Sequence, residues 1–381
     1  MNRALKPEFE FLCYLVRPQP DHERALELTR RELDFALVAH LAAAHGVRPH
    51  LLKALNDKFW AGRVSELKQK LEVFQCGHMA RNLHLASHLL RVVNAFDECG
   101  IPFATFKGIA LAISLHGDIS RREFNDIDII VRTVDVSAAE SALQSCGYRP
   151  ALGSSREWRK AFLAYQRQHM FVDADSVTID LHWDLTRKGF PFPLRASDIW
   201  STLELMSIAG RPIPTFGPEV MGIYLAAHGA KEGWRCLGWV CDFAEFYQRH
   251  SDMDWIELWR RVDQRKRQIL LGLSLATELL GIPVRDEMLQ YANRDPKIRA
   301  LVELTIQRIL HLIDTKNPHP EMELAIFEIC ETWSERLRVI WHLGCTRTTG
   351  DYEAMPLPRP LWRLYHLTRP FRLAGKVLSV R

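Results

Sequence analysis

Residues 126–131 read Asp-Ile-Asp-Ile-Ile-Val, a short apolar run headed by two carboxylates two positions apart. Such a run fits a strand, and along a strand residues two apart leave the same face. Asp126 and Asp128 therefore stand together while Ile127 and Ile129 enter the core. The neighbouring sequence carries the same short period. Phe103–Phe106 is strand-like, Val177–Trp183 alternates, and Asp173-Ala174-Asp175-Ser176 is a turn between Phe171–Val172 and Val177–Ile179. Helical stretches at Ala110–Leu115 and Val136–Cys146, the second closed by Gly147, lie between these strands. The middle of the chain is thus expected to be α+β, a mixed sheet with helices on one side.

Both flanks read as helix. Residues 32–55 carry apolar side chains at helical spacing with Gly46 as a stop. A second pattern runs from about Lys53 through Phe59, Leu67, Leu71, Phe74, Leu83, Leu90, Val93 and Phe96 to Cys99-Gly100. The helical period returns at Gly217-Pro218-Glu219, a good start signal, and holds to about His342, with polar residues 285–297 as a connection between helices. The expected organisation is a helical domain over 1–98, an α+β core over 99–215 and a helical domain over 216–381. The last stretch, 356–381, has Arg359, Arg363, Arg369, Arg372, Lys376 and Arg381 and no acid. It can face nucleic acid or an anionic surface, but packing of Leu361, Trp362, Leu364 and Tyr365 on the bundle is the favoured expectation.

Composition narrows the class of protein. Fifty Lys+Arg against 46 Asp+Glu leave a net charge of +4, which argues weakly against long nucleic acid as a partner. No apolar run approaches the ~20 residues of a membrane span, and the N-terminus lacks the features of a signal peptide, so a cytoplasmic protein is expected. The 8 cysteines include no C-x-x-C, and Cys236 and Cys241 lack zinc spacing; reduced thiols filling the core are expected. His84 and His88 stand one helical turn apart without an acid in an H-E-x-x-H pattern, so no metal site is expected there.

The chemistry gathers around the carboxylates. Two on one face repel and raise each other's pKa unless a cation lies between them, and Mg²⁺ with its oxygen ligands fits. A third acid, Asp180, falls on the later alternating strand, with Thr178 and His182 on its face. Three carboxylates on adjacent strands suit a two-metal phosphoryl-transfer site. Lys107-Gly108 follows a strand and opens a helix, an arrangement that favours phosphate, and Arg122 is close enough in sequence to reach the same phosphates. His182 is a candidate for orienting Asp180. His228 lies on the apolar side of its helix one turn from Tyr224, with Asp242 as an expected partner. His228 and Lys231 are candidates for facing nucleotide or acceptor.

The ordered set Phe106-Lys107-Gly108-Ile109-Ala110-Leu111, Leu115-His116-Gly117-Asp118, Arg122-Glu123-Phe124-Asn125-Asp126-Ile127-Asp128-Ile129-Ile130-Val131 and Asp180-Leu181-His182-Trp183 resembles the nucleotidyltransferase superfamily with the DNA polymerase β-like fold. It is most similar to the uncharacterised bacterial branch known as nucleotidyltransferase family 5. The likeness extends to Ala227–Lys231 with Trp234, Leu237, Trp239 and Asp242, and to the closing segment around Leu361–Leu373. The chain departs from the pattern in His116, where the family tends to have Tyr, in Lys-Gly for the more usual Gly-Ser, and in a longer interval from Gly108 to Asp126. The resemblance implies a polymerase-β-like core and transfer of a nucleoside monophosphate from an NTP to an acceptor hydroxyl, small molecule or peptide, with release of pyrophosphate. It implies two Mg²⁺ ions, or Mn²⁺, on Asp126, Asp128 and Asp180, and triphosphate binding by Lys107, Gly108 and Arg122. A non-catalytic nucleotide-binding scaffold and a phosphotransferase are the alternatives. The helical flanks are expected to choose the acceptor, and replacing Asp126 or Asp128 by Ala is expected to leave folding nearly intact.

Overall fold

The computed structural model describes residues 6–57, 60, 62, 64–151, 166–186, 190–262, 265–311, 327–345 and 349–379; Phe59 and Arg381 lie outside them. A five-stranded sheet forms the centre, from β1 (Phe103–Thr105), β2 (Asp126–Val131), β3 (Arg149–Pro150), β4 (Gln168–Val172) and β5 (Thr178–His182), in the order β1-β2-β5-β4-β3. The β2–β5 pair is parallel and the others antiparallel, so the sheet is mixed as expected. The expected turn joins β4 to β5. There the Asp173 carboxylate accepts from the N–H groups of Asp175 and Val177 at 3.0 and 2.9 Å, closing the turn on itself.

The alternation in β2 and β5 decides what covers the sheet. Ile127, Ile129, Ile179 and Leu181 share a buried core with Leu85, Leu89, Val92, Val93 and Phe96 of the helix α5 (Ser65–Glu98) and with Ala139 and Leu143 of the helix Val136–Ser145. The opposite face keeps the carboxylates. A second core joins the N-terminal helices α1 (Pro7–Leu15), α2 (His22–Leu28), α3 (Phe35–Ala44) and α4 (Arg48–Leu55), with Leu67 and Leu71 of α5, to the later helices Pro218–Lys231, Leu237–Arg249 and Lys266–Leu280. The two helical flanks therefore share one core, and α5 reaches from it into the core under the sheet. The two largest cores thus each draw on more than one of the three sequence ranges.

Several local expectations are corrected. The long pattern from Lys53 to Cys99 is interrupted, with one helix ending at Leu55 and α5 starting at Ser65. Residues 286–294 form a helix that buries Met288 and Ala292, not a connection. A hairpin of β6 (Leu203–Ile208) and β7 (Arg211–Phe216), turning at Ala209-Gly210, was not signalled. Near the C-terminus Trp362 and Tyr365 are buried, but against Tyr352 and Leu357 in a small cluster of their own, and Leu361 and Leu364 are exposed. Only Cys13, Cys241 and Cys330 are buried; Cys76 and Cys99 are exposed. Among the described residues no helix is long and apolar enough to cross a membrane.

Candidate active site

The parallel register sets Asp128 directly beside Asp180 and Asp126 beside Thr178. Thr105 Oγ1 donates to the Asp128 carbonyl at 3.0 Å and ties β1 to this point of β2. The Asp128 side chain is buried, and one of its oxygens, Oδ1, accepts from Lys107 Nζ at 2.8 Å and bonds His182 Nε2 at 2.9 Å. Gln168 Nε2, across on β4, donates to Asp180 Oδ2 at 2.7 Å. Ligand atoms of Asp128, Asp180 and His182 all lie within 4.8 Å of one another. His182 thus bonds Asp128 rather than Asp180, is itself buried, and meets Phe106 edge-on at 5.2 Å. The ring thus holds a carboxylate as expected in kind, but that of Asp128.

The electrostatics of the three acids diverge. Burial pushes the Asp128 carboxyl up, but Lys107 and the His182 hydrogen bond overcome it and hold it well below the usual range. Burial, then the negative charges of Asp128 and Asp126, raise Asp180 to about 6. Asp126 is raised by burial and by Asp128. Burial lowers His182, so the neutral ring donates from Nε2 to the ionised Asp128. One ammonium is thus shared among three crowded carboxylates, and two of them remain costly to ionise.

Gly108 opens the helix α6 (Gly108–His116) at φ +44°, and a Cβ there would stand 3.1 Å from the Asp126 carbonyl oxygen. Only glycine lets the helix start close so tightly on the head of β2. The segment between α6 and β2 is gripped by α5. Gln75 donates to the Ser120 carbonyl at 3.0 Å, Asn82 to that of Ile119 at 2.7 Å, and His78 Nε2 lies 3.0 Å from that of Arg122. Sequence reading missed these groups. Polar residues on the buried side of an amphipathic helix were the available signal.

Arg122 is brought to the site's edge and paired there with a carboxylate. Its Nε lies 3.0 Å from both oxygens of Asp242, and Nη2 donates to Oδ2 at 2.9 Å. Asp242 is therefore the partner of Arg122, not of His228. His228 stacks on Tyr224 at 5.6 Å and meets Trp239 edge-on. It lines, with Lys107, Arg122, Tyr224, Trp239 and Asp242, a cavity of about 20 Å³. That space suits one water molecule and not a nucleotide. Lys231 lies 3.2 Å from Glu232. Tyr224 and the Phe106–Phe216 stack, 4.7 Å between centroids, complete the wall behind Lys107, and of these rings sequence reading overlooked Phe216.

The family comparison agrees with this geometry. A family model described as uncharacterised nucleotidyltransferase matches residues 31–281. The chain belongs to that family. Among curated proteins nothing matches. A solved structure of ANT(2'')-Ia in complex with adenylyl-2''-tobramycin is similar at 15% identity, over 58% of this chain and 97% of that one, with a TM-score of 0.27. In this nucleotidyltransferase the donor set suits a hard divalent cation. Among the described residues both hydrogen bonds to the Asp128 carboxylate fall on Oδ1, leaving Oδ2, and the raised Asp126 and Asp180 are stabilised in their charged form by any cation placed between them.

Proposed function

We propose that this nucleotidyltransferase moves a nucleoside monophosphate from an NTP to an acceptor hydroxyl, with Mg²⁺ held by Asp126, Asp128 and Asp180. The observation that carries the reading is the in-register pair of Asp128 and Asp180 on parallel strands, with Lys107 on the first. Bound cations would neutralise the triphosphate and acidify the acceptor hydroxyl. The acceptor oxygen attacks the α-phosphorus, the bond from that phosphorus to the β-phosphate oxygen breaks, and pyrophosphate leaves. Asp180, in register beside Asp128, is placed to receive the hydroxyl proton. Lys107 binds the triphosphate once its hold on Asp128 is shared with a cation, and the free N–H groups at the start of α6 favour the same anion. His182 and Gln168 position the carboxylates and take no proton. The helices Pro218–Lys231 and Leu237–Arg249, which wall Lys107, are the surfaces that select the acceptor.

The test is NTP binding by calorimetry with and without Mg²⁺, followed by incubation of the protein with cell extract and NTP labelled on either phosphate. Mg²⁺-dependent binding with transfer of the α-label supports the reading. Transfer of the γ-label makes the protein a phosphotransferase, transfer of neither makes it a scaffold, and absence of Mg²⁺-dependent binding overturns the proposal.

A further inference from the structure

A second cluster of metal-binding side chains lies away from the carboxylate site. His84 and His88 stand one turn apart on α5, their rings 4.4 Å between centroids. The turn between β4 and β5 brings Asp175 to them, so that one ligand atom from each of the three lies within 4.8 Å of the others. Along the sequence this pair of histidines had no acid; the hairpin supplies it from far down the chain. The cluster belongs to the side of the sheet that α5 covers, which carries Ile127 and Ile179, whereas Asp126 and Asp128 project from the other.

The surroundings of His88 add an independent observation. His88 is buried, and its Nδ1 lies 2.6 Å from Tyr148 Oη and 3.2 Å from both Asp173 Oδ2 and Arg91 Nη2. The Asp173 side chain is almost wholly enclosed and is shared with Arg91 at 3.7 Å. Where Nδ1 gives its proton to Asp173 and Arg91 turns wholly to that carboxylate, the Nε2 lone pair is left for a cation. A histidine held by a carboxylate on one nitrogen and offering the other is the usual setting of a metal-bound imidazole. The same Asp173 closes the turn that presents Asp175, so one residue fixes two of the three donors.

We propose that His84, His88 and Asp175 form a zinc site that clamps the β4–β5 turn to α5. Two imidazoles, one carboxylate and a water make a four-coordinate set for Zn²⁺, whereas Mg²⁺ avoids imidazole ligands. The clamp has a mechanical consequence, because β5 begins at Thr178, just past the turn, and carries Asp180. A cation here fixes the strand on which the third carboxylate rides.

The test uses metal-free full-length protein in excess Mg²⁺, titrated with Zn²⁺ by calorimetry and with Co²⁺ by its visible absorption. One equivalent of Zn²⁺, a rise in melting temperature with Zn²⁺, and Co²⁺ bands of a low-coordinate site are expected. His84→Ala and Asp175→Ala, both at exposed positions, lose the equivalent, the bands and the Zn²⁺-dependent rise while melting normally without metal. Asp173→Asn keeps the turn acceptor but not the charge on His88, and weakens Zn²⁺ by about tenfold or more. Asp180→Asn, on the carboxylate face, retains the site. Failure of the wild type to bind an equivalent of Zn²⁺ in excess Mg²⁺, or binding undiminished by His84→Ala, overturns the proposal.

Discussion

Two buried cation–carboxylate pairs meet at the same small cavity and differ in what they leave over. In Arg122–Asp242 the planar fork occupies both carboxylate oxygens, and the pair joins the loop before β2 to the helix Leu237–Arg249. Burial pulls the guanidinium's pKa down, and Asp242 more than restores it. In Lys107–Asp128 a point charge touches one oxygen, which His182 also touches, while further carboxylates crowd the site. In the first pair both carboxylate oxygens are taken by the guanidinium, and the pair is a fixture. The second holds a spare oxygen and surplus negative charge, so its lysine is exchangeable against another cation. The role of a buried pair follows from the lone pairs it leaves, not from its burial.

The largest expected effect tests the exchangeable pair. Asp128→Asn or Asp126→Ala should lower transfer on the order of a thousandfold or more, measured as initial rate at saturating NTP and Mg²⁺. The two should differ in stability, against the sequence expectation that both leave folding nearly intact. Asp128 is buried on Lys107 and His182, so Asp128→Ala leaves an ammonium enclosed without its carboxylate, at a cost of about 3–5 kcal/mol. Asp126 is only half-buried, and its replacement should cost far less. Equal urea midpoints for the two variants would erase the distinction.

The fixture is tested next. Asp242→Asn or Arg122→Gln should destabilise the protein by about 3–5 kcal/mol, read from urea denaturation, because each strands a buried charge. The double replacement Arg122→Met with Asp242→Leu should recover most of that loss. If either single change left stability within about 1 kcal/mol of the wild type while NTP affinity fell sharply, Arg122 would be a phosphate ligand after all.

The sheet and its acids were legible because β-structure writes a period of two into six residues, and Asp126 and Asp128 interrupt an apolar run at its head. The strand pairing that puts Asp180 beside Asp128 was legible only through the ordered motif. Partner choice was not. Arg122 and Asp242 are 120 positions apart, and nothing local in either segment says that they meet. The same holds for Asp175 against His84 and His88, and for Phe216 behind Phe106. The helix Asp286–Arg294 was hidden by its polarity: two buried residues, Met288 and Ala292, are a thin stripe to detect. The β6–β7 hairpin was passed over although Ala209-Gly210 marked a turn, because Pro212 and Pro214 weigh against a strand.

The smallest effect is the most specific to the carboxylate cluster. Asp180 is raised from an ordinary value of 3.8 to about 6, so between those limits the folded protein binds a proton that the unfolded chain has released. Stability in the absence of metal therefore declines as pH rises from about 4 through 6 and stays lower above it. Asp180→Asn removes the acid yet keeps an oxygen for Gln168, so the metal-free variant should exceed the wild type by on the order of 1–2 kcal/mol at pH 7–8, after allowance for solvent screening. The gain should fade below about pH 4, where Asp180 is protonated in both states. Adding Mg²⁺ should reverse the order, because a cation stabilises the ionised wild-type cluster and finds one ligand fewer in the variant. Melting curves over pH 4–8, with and without Mg²⁺, read all three outcomes. A metal-free Asp180→Asn protein no more stable than the wild type at pH 8 would mean that Lys107 already satisfies the cluster, and with that the contrast between the two pairs would collapse.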